Sequence, residues 1–275
     1  MNSSFSDKLK KIWENSPSYI CVGLDPDVSK IPKHLLKEKN AVSLFNQSII
    51  ENTHDLVCSY KPQMAYYSGQ RLEDQLHMTM DFLKKYCPHI PVILDSKRGD
   101  IGATAEQYAK EAFDVFLADA VTVNPYMGLE TIEPFLSYKD KGVFVLCKTS
   151  NPGSGEFQNL LTANGKRLFE IVATAISDRA QNHSGLGLVV GATHSEDLKA
   201  VRTLAPQVPF LIPGVGAQGG SVRDVLDYGL NSFGHGVLIN SSRAIIYASS
   251  DRDYAVAARQ ATLELKSQID TILGQ

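Results

Sequence analysis

Eight short apolar runs recur along the chain, each followed by a longer helix-like stretch, and this alternation constrains the fold more than any other feature. The runs are Ile20–Leu24, Leu56–Tyr60, Val92–Leu94, Ala120–Val123, Val143–Cys147, Leu186–Val190, Phe210–Ile212 and Gly236–Ile239. Helical patterns lie between them at Ala41–Val57, Thr104–Phe116, Arg167–Ala180 and Arg223–Tyr228, and a last one spans Tyr254–Leu273. Apolar runs without alternation read as strands buried on both faces, and a parallel sheet covered by helices buries them in that way. Eight such units suggest a closed barrel, with a doubly wound open sheet as the competing arrangement. No low-complexity segment or Pro/Gly/Ser-rich linker divides the 275 residues, a length that suits one barrel of about 250 residues. The expected fold is therefore α/β: a single (β/α)8 TIM barrel over residues 1–275, with an extra N-terminal helix anchored by Trp13.

The polar residues have a direction. Asp25, Lys61, Asp95 with Lys97, Asn124, Ser150, Gly191-Ala192-Thr193, Pro213-Gly214-Val215-Gly216, and Asn240 with Arg243 all fall just after an apolar run. In a barrel these positions gather at the C-terminal ends of the strands, the face where such folds place their sites. That any strand end meets water accounts for Asn240 and Thr193. It does not account for Lys61, because an ammonium directly after Val57-Cys58-Ser59-Tyr60 needs a partner.

The segment Val92-Ile93-Leu94-Asp95-Ser96-Lys97-Arg98-Gly99-Asp100-Ile101-Gly102-Ala103-Thr104 carries the strongest chemical signal. Asp95 and Lys97 are two residues apart, so an extended backbone puts both on one face, and Asp100 follows within a short glycine-containing turn. Two carboxylates around one ammonium keep that lysine charged and in place, and they crowd negative charge against an incoming anion. A second signal stands further on. Gly214, Gly216, Gly219 and Gly220 let the backbone approach an anion closely, and a helix is expected to begin near Arg223. Arg243 at the next strand end can grip a phosphate bidentately, and barrels often bind phosphate after strands seven and eight.

Asp-x-Lys-x-x-Asp-Ile-x-x-Thr after an apolar strand resembles the active-site motif of the orotidine 5′-phosphate decarboxylase family, and the resemblance runs through most of the chain in order. Gly23-Leu24-Asp25-Pro26 is similar to the segment whose Asp binds a ribose hydroxyl, and Tyr60-Lys61-Pro62-Gln63 to the segment whose Lys joins the charged network. Ser150-Asn151-Pro152-Gly153 resembles the segment whose Ser contacts the pyrimidine. The run Pro213 to Gly220, containing Gln218, and Asn240-Ser241-Ser242-Arg243 resemble the phosphate-binding segments. The Lys-Pro-Gln segment and the length look like the longer bacterial branch, although Ala65-Tyr66-Tyr67-Ser68 departs from the Phe-Phe-Glu of that branch.

The resemblance implies decarboxylation of orotidine 5′-monophosphate to uridine 5′-monophosphate, the last step of de novo pyrimidine synthesis. It implies a role for Lys97 in protonating C6, with Asp95, Lys61 and Asp100 completing the network. It also implies a homodimer with shared sites, in which Asp100, Ile101 and Thr104 of one chain complete the site of the other. No pyridoxal, thiamine or metal electron sink is signalled, so neither a cofactor nor a metal is expected. Two other readings remain: a Mg2+-dependent sugar-phosphate decarboxylase or aldolase of the same superfamily, and a non-catalytic phosphate-binding barrel. The sugar-phosphate relatives look to carry an acidic metal ligand where this chain has Lys61, whose charge would repel a divalent cation.

Composition narrows the partners. With 43% hydrophobic residues, 21% charged residues and a net charge of −3, nothing argues for nucleic acid or a membrane surface. The first residues lack the apolar core and cleavage site of a secretion signal, and no apolar run approaches the ~20 residues of a membrane span. The four cysteines lie far apart with no CxxC pair, which reads as small buried thiols in a reducing cytoplasm. His194 has no second ligand at metal spacing and is expected at the surface, while His235, beside glycines, is expected to be structural.

Overall fold

The computed structural model describes residues 3–215 and 219–274. Eight strands, β1 (Ile20–Leu24), β2 (Ser59–Pro62), β3 (Ile93–Arg98), β4 (Ala120–Val123), β5 (Gly142–Lys148), β6 (Leu186–Val190), β7 (Phe210–Ile212) and β8 (Val237–Ser241), alternate with helices. All are parallel to their neighbours in the order β2-β1-β8-β7-β6-β5-β4-β3. The parallel bridges Tyr60–Val92 and Gln63–Asp95 join β2 to β3, so the sheet closes on itself as a barrel rather than opening into a doubly wound sheet.

Successive side chains of a strand point to opposite faces, and this divides the apolar residues into two cores. Tyr60, Leu94, Val121, Val145, Leu188 and Ile239 face outward against the helices. Cys21, Cys58, Ile93, Ala120, Phe144, Val189, Leu211 and Leu238 face inward, together with Phe5 and Leu9 from the N-terminal helix Phe5–Asn15. That helix starts with a reciprocal cap between Ser4 and Asp7 and closes the N-terminal end of the barrel. Its Phe5 ring stands edge-on to Phe144 at 5.7 Å. Only glycine fits beneath it, since a Cβ on Gly142 would lie 2.5 Å from the Phe5 ring. Trp13 stacks on His235 at 5.0 Å, and Phe233 also stacks on that imidazole, so Trp13 is the anchor and His235 the structural group expected of them.

Four strands coincide with the apolar runs, and the others show where hydrophobicity misleads. The helix beginning at Ala41 ends at Thr53, not at Val57. Leu56 and Val57 are buried in the turn that follows it, so apolar character there marks burial and not a strand. The strand β2 then runs on to Pro62, which puts Lys61 inside it rather than after it. Likewise β3 continues through the polar segment to Arg98, because its inward-facing end lines a cavity instead of the core. All four cysteines are buried and unpaired. Among the described residues, no helix is long and apolar enough to cross a membrane.

Candidate active site

A cavity of about 690 Å³ opens at the C-terminal end of the barrel. Asp25, Lys61, Asp95 and Lys97 line one side, and Ser150, Gly214 and Arg243 line the other. Strands from opposite parts of the sequence thus bring seven of the expected residues to one mouth.

The four charged groups form a chain of alternating sign. Lys61 Nζ lies 3.9 Å from Asp25 Oδ1 and 3.0 Å from Asp95 Oδ2, and Lys97 Nζ lies 2.6 Å from Asp95 Oδ1. Side-chain exposure is 5% for Lys61 and 43% for Lys97, so the first ammonium is sealed in while the second faces the cavity. Burial alone would push the Lys61 pKa down, but the carboxylates of Asp25 and Asp95 outweigh it and hold the group above its ordinary value. For Asp95 burial pulls upward, and the two ammonium groups and the hydrogen bonds from Lys97 and Thr122 prevail, holding the carboxyl well below the usual range. Asp25 is the less saturated acid. Its Oδ1 is buried without a hydrogen-bond partner among the described residues, and 3.9 Å to Lys61 is too long to count as one.

The backbone brings Asp95 and Lys97 together by a different route from the expected extended one. Leu94 pairs with Val121 and Arg98 with Val123, so residues 95–97 bulge opposite the single residue Thr122. Lys97 has φ +48°, in the left-handed region that a side chain rarely adopts. The bulge, not a straight strand, aims both side chains into the cavity.

Asp95 is gripped at both oxygens. Oδ1 accepts from Lys97 and from Thr122 Oγ1 at 2.8 Å, and Oδ2 accepts from Lys61 and from Gln63 Nε2 at 3.2 Å. Thr122 and Gln63 were not expected as site residues. A threonine inside a β run reads as an ordinary strand former, and the signal for Gln63 lay only in its place after Lys61. The departing segment Ala65-Tyr66-Tyr67-Ser68 also finds its place: Tyr67 is buried and donates to Leu24 O at 3.1 Å, and Tyr66 lines the cavity.

Asp100, Ile101 and Thr104 do not line this cavity. Asp100 Oδ1 accepts from the Ile101 amide at 2.8 Å, Ile101 is 55% exposed and Thr104 is also exposed. Within one chain and among the described residues, the carboxylate that holds Lys97 is that of Asp95, and Asp100 makes no ion pair with it. The helix that follows begins at Gly102 with φ +49°, a conformation that glycine adopts without strain.

Across the mouth, Ser150 stands just beyond β5, whose register shifts between Leu146 and Lys148. Lys148 is buried and bonds Asn159 Oδ1 at 3.0 Å and Ser154 Oγ at 3.3 Å, tying down the segment that carries Ser150. At the far end Arg243 begins a short helix after β8, and Gly214 has φ +92° beside it. Gly216 and Gln218 lie outside the described residues. The expected helix near Arg223 begins at Val222, where the Ser221 hydroxyl accepts from the Asp224 amide. His194 is exposed, as expected.

A family model described as "Orotidine 5'-phosphate decarboxylase / HUMPS family" matches residues 18–259. The chain is 47% identical over 271 residues to the orotidine 5′-phosphate decarboxylase of Janthinobacterium sp. (strain Marseille), covering 98% of this chain and 100% of the relative. It is 49% identical over 269 residues to that of Cellvibrio japonicus (strain Ueda107), covering 97% and 98%. Among solved structures, the OMP decarboxylase of Leishmania donovani superposes with a TM-score of 0.84 at 38% identity, covering 98% of each chain.

Proposed function

Since this chain belongs to the orotidine 5′-phosphate decarboxylase / HUMPS family, we propose that it converts orotidine 5′-monophosphate to uridine 5′-monophosphate and CO2, the final step of de novo UMP synthesis. The observation that carries this reading is the alternating chain Asp25–Lys61–Asp95–Lys97 at the mouth of the barrel. When the C6–carboxylate bond breaks, its electron pair stays on C6 and CO2 departs. The Lys97 ammonium is the exposed end of the chain, placed to face that developing charge and to deliver its proton to C6. The lysine then regains a proton from solvent. Asp95 lies beside the departing carboxylate and orients Lys97, and Lys61 stabilises Asp95 from behind.

The remaining contacts follow the shape of the cavity. The unpartnered Oδ1 of Asp25 suits a ribose hydroxyl, Ser150 the pyrimidine, and Gly214 with Arg243 the phosphate; Gly216 and Gln218 belong to the same phosphate segment. Phosphate binding far from C6 supplies energy that helps hold the ring against the charged chain. An ammonium between Asp25 and Asp95 occupies the position where a divalent cation would be bridged, which favours this reaction over a Mg2+-dependent sugar-phosphate one. Residues 1–275 act in this reading as one catalytic domain, and buried, unpaired thiols suit work in the cytoplasm.

The assembly that fits is a two-fold homodimer with shared sites. The outward turn of Asp100, Ile101 and Thr104 leaves them free to reach a neighbouring chain, where they would complete the site of Lys61, Asp95 and Lys97.

Direct assay with orotidine 5′-monophosphate, with and without EDTA, tests the reaction. Turnover indifferent to EDTA and to added Mg2+ is expected, and a Mg2+ requirement would move the assignment to the sugar-phosphate enzymes. Subunit exchange between Lys97→Ala and Asp100→Ala homodimers tests the shared site. Mixed dimers carry one intact site, so about a quarter of the activity should return after random exchange. No recovery in confirmed mixed dimers would leave Asp100 outside the partner's site.

A further inference from the structure

The bulge that presents Asp95 and Lys97 has one residue opposite it, Thr122, and that residue is buried. Its Oγ1 accepts from the Ser96 amide at 3.1 Å and from the Lys97 amide at 2.9 Å, and donates to Asp95 Oδ1 at 2.8 Å. A hydroxyl has two acceptor sites and one proton. With both lone pairs taken by amides of the bulge, the proton is left to point at Asp95. It meets the same oxygen that receives the Lys97 ammonium at 2.6 Å. One hydroxyl therefore touches all three residues of the bulge: the backbone of two and the side chain of the third.

From this geometry we infer that Thr122 is a positioning residue of the reaction, holding Lys97 in its left-handed conformation and Asp95 in its rotamer so that Nζ has a fixed address at C6. The inference rests on the decarboxylase reading and extends it to a residue that neither the motif nor charge points to. Left-handed backbone at a lysine is unfavourable and persists only where surrounding contacts hold it. The two amide bonds to Thr122 supply that hold. The Thr122 hydroxyl is already committed to three protein groups, so its part in the reaction runs through Asp95 and Lys97 rather than through the substrate. Its effect should thus fall on the chemical step and spare ground-state binding.

The test compares Thr122→Val, which keeps the shape and removes the hydroxyl, with Thr122→Ser, which keeps the hydroxyl and removes the methyl. For Thr122→Val, kcat on orotidine 5′-monophosphate should fall by about tenfold or more, while Kd for uridine 5′-monophosphate stays within about threefold. Thr122→Ser should keep kcat within about threefold of wild type. A Thr122→Val enzyme with near wild-type kcat overturns the inference. So does a Thr122→Ser enzyme as impaired as Thr122→Val, because the methyl group and packing would then be responsible. Should Thr122→Val fail to fold, Thr122→Ala removes the same hydroxyl with no bulk to strain the barrel. If wild type itself does not act on orotidine 5′-monophosphate, the decarboxylase reading falls, yet a crystal structure of the Val variant still decides the positional claim. There, Lys97 remaining at φ near +48° with Nζ still about 2.6 Å from Asp95 would overturn it.

Discussion

The two ends of the barrel interior are built by the same strands and have opposite chemistry. At the N-terminal end, Phe5 and Leu9 from the first helix meet Phe144, Ala120 and Ile93 in a dry, close-packed plug. At the C-terminal end the next inward positions are Lys61, Asp95 and Thr122, with a cavity above them. A step of two residues along β3, from Ile93 to Asp95, separates the regimes, because inward positions recur every second residue. The plug draws stability from removing apolar surface from water, whereas the charged chain endures burial only because each of its charges faces an opposite one. Stability and chemistry are thereby assigned to different ends, and changes at one end should leave the other largely untouched.

The largest test is Lys97→Ala. Loss of the proton donor and its charge should lower kcat by at least ~10³-fold, about 4 kcal/mol, with little change in melting temperature. A folded variant keeping more than about a tenth of wild-type kcat would break the division at its chemical end. Phe5→Ala should do the reverse. Truncating a buried aromatic costs about 3–5 kcal/mol of unfolding free energy, measured by urea denaturation, while kcat of the folded enzyme holds. A large fall in kcat without loss of stability would show that the two ends are coupled.

Arg243→Ala is expected to act within the site but away from the chemistry. It should lower kcat/KM by about 10- to 150-fold for the phosphorylated substrate, a loss of about 1.5–3 kcal/mol, and have little effect on the nucleoside without phosphate. Equal losses on both would make Arg243 structural.

The smallest effect is in the pH dependence of stability. The Asp95 carboxyl is held below its ordinary value of 3.8, so its contribution is full above that pH and fades as pH falls beneath it. The Lys61 ammonium is held above its ordinary 10.5, so its contribution is full below that pH and is lost as pH rises past it. The stability difference between wild type and Asp95→Asn should accordingly be flat over roughly pH 5–9 and shrink below pH 3.8. A slope across neutrality would mean that another group titrates with the pair.

Much of this division is legible in the sequence, and the exceptions have physical causes. β1, β6 and β7 carry no polar side chain and β4 carries a single one, Thr122, so composition alone places them. The ends of β2 and β3 are hidden because their last inward residues are charged, which breaks the hydrophobic signal where the strand becomes a site. Lys97 is evident from its motif but its left-handed backbone is not, since nothing in the order Asp-Ser-Lys announces a bulge that depends on a threonine of the next strand. Asp100 shows what one chain alone displays: its carboxylate accepts from the Ile101 amide and does not line the cavity. It is close in sequence to Lys97, but the two lie on either side of the end of β3, and Asp100 belongs to the exposed link to the helix Gly102–Lys110. Lys148 draws no notice in the sequence, where it follows Cys147 as a lone cation, yet it is buried against Asn159 and Ser154.

The four cysteines bear on how such an enzyme can be watched at work. All are buried, and burial pushes the thiols of Cys21 and Cys87 up to about 11 and those of Cys58 and Cys147 upward as well. Alkylating reagents attack the thiolate, so these positions are poor targets in the folded protein. A cysteine introduced at Phe157, which is 60% exposed on the segment after β5, would then be the preferred site of modification. A fluorophore attached there would report on movements at the mouth of the barrel during turnover, with every native cysteine left in place.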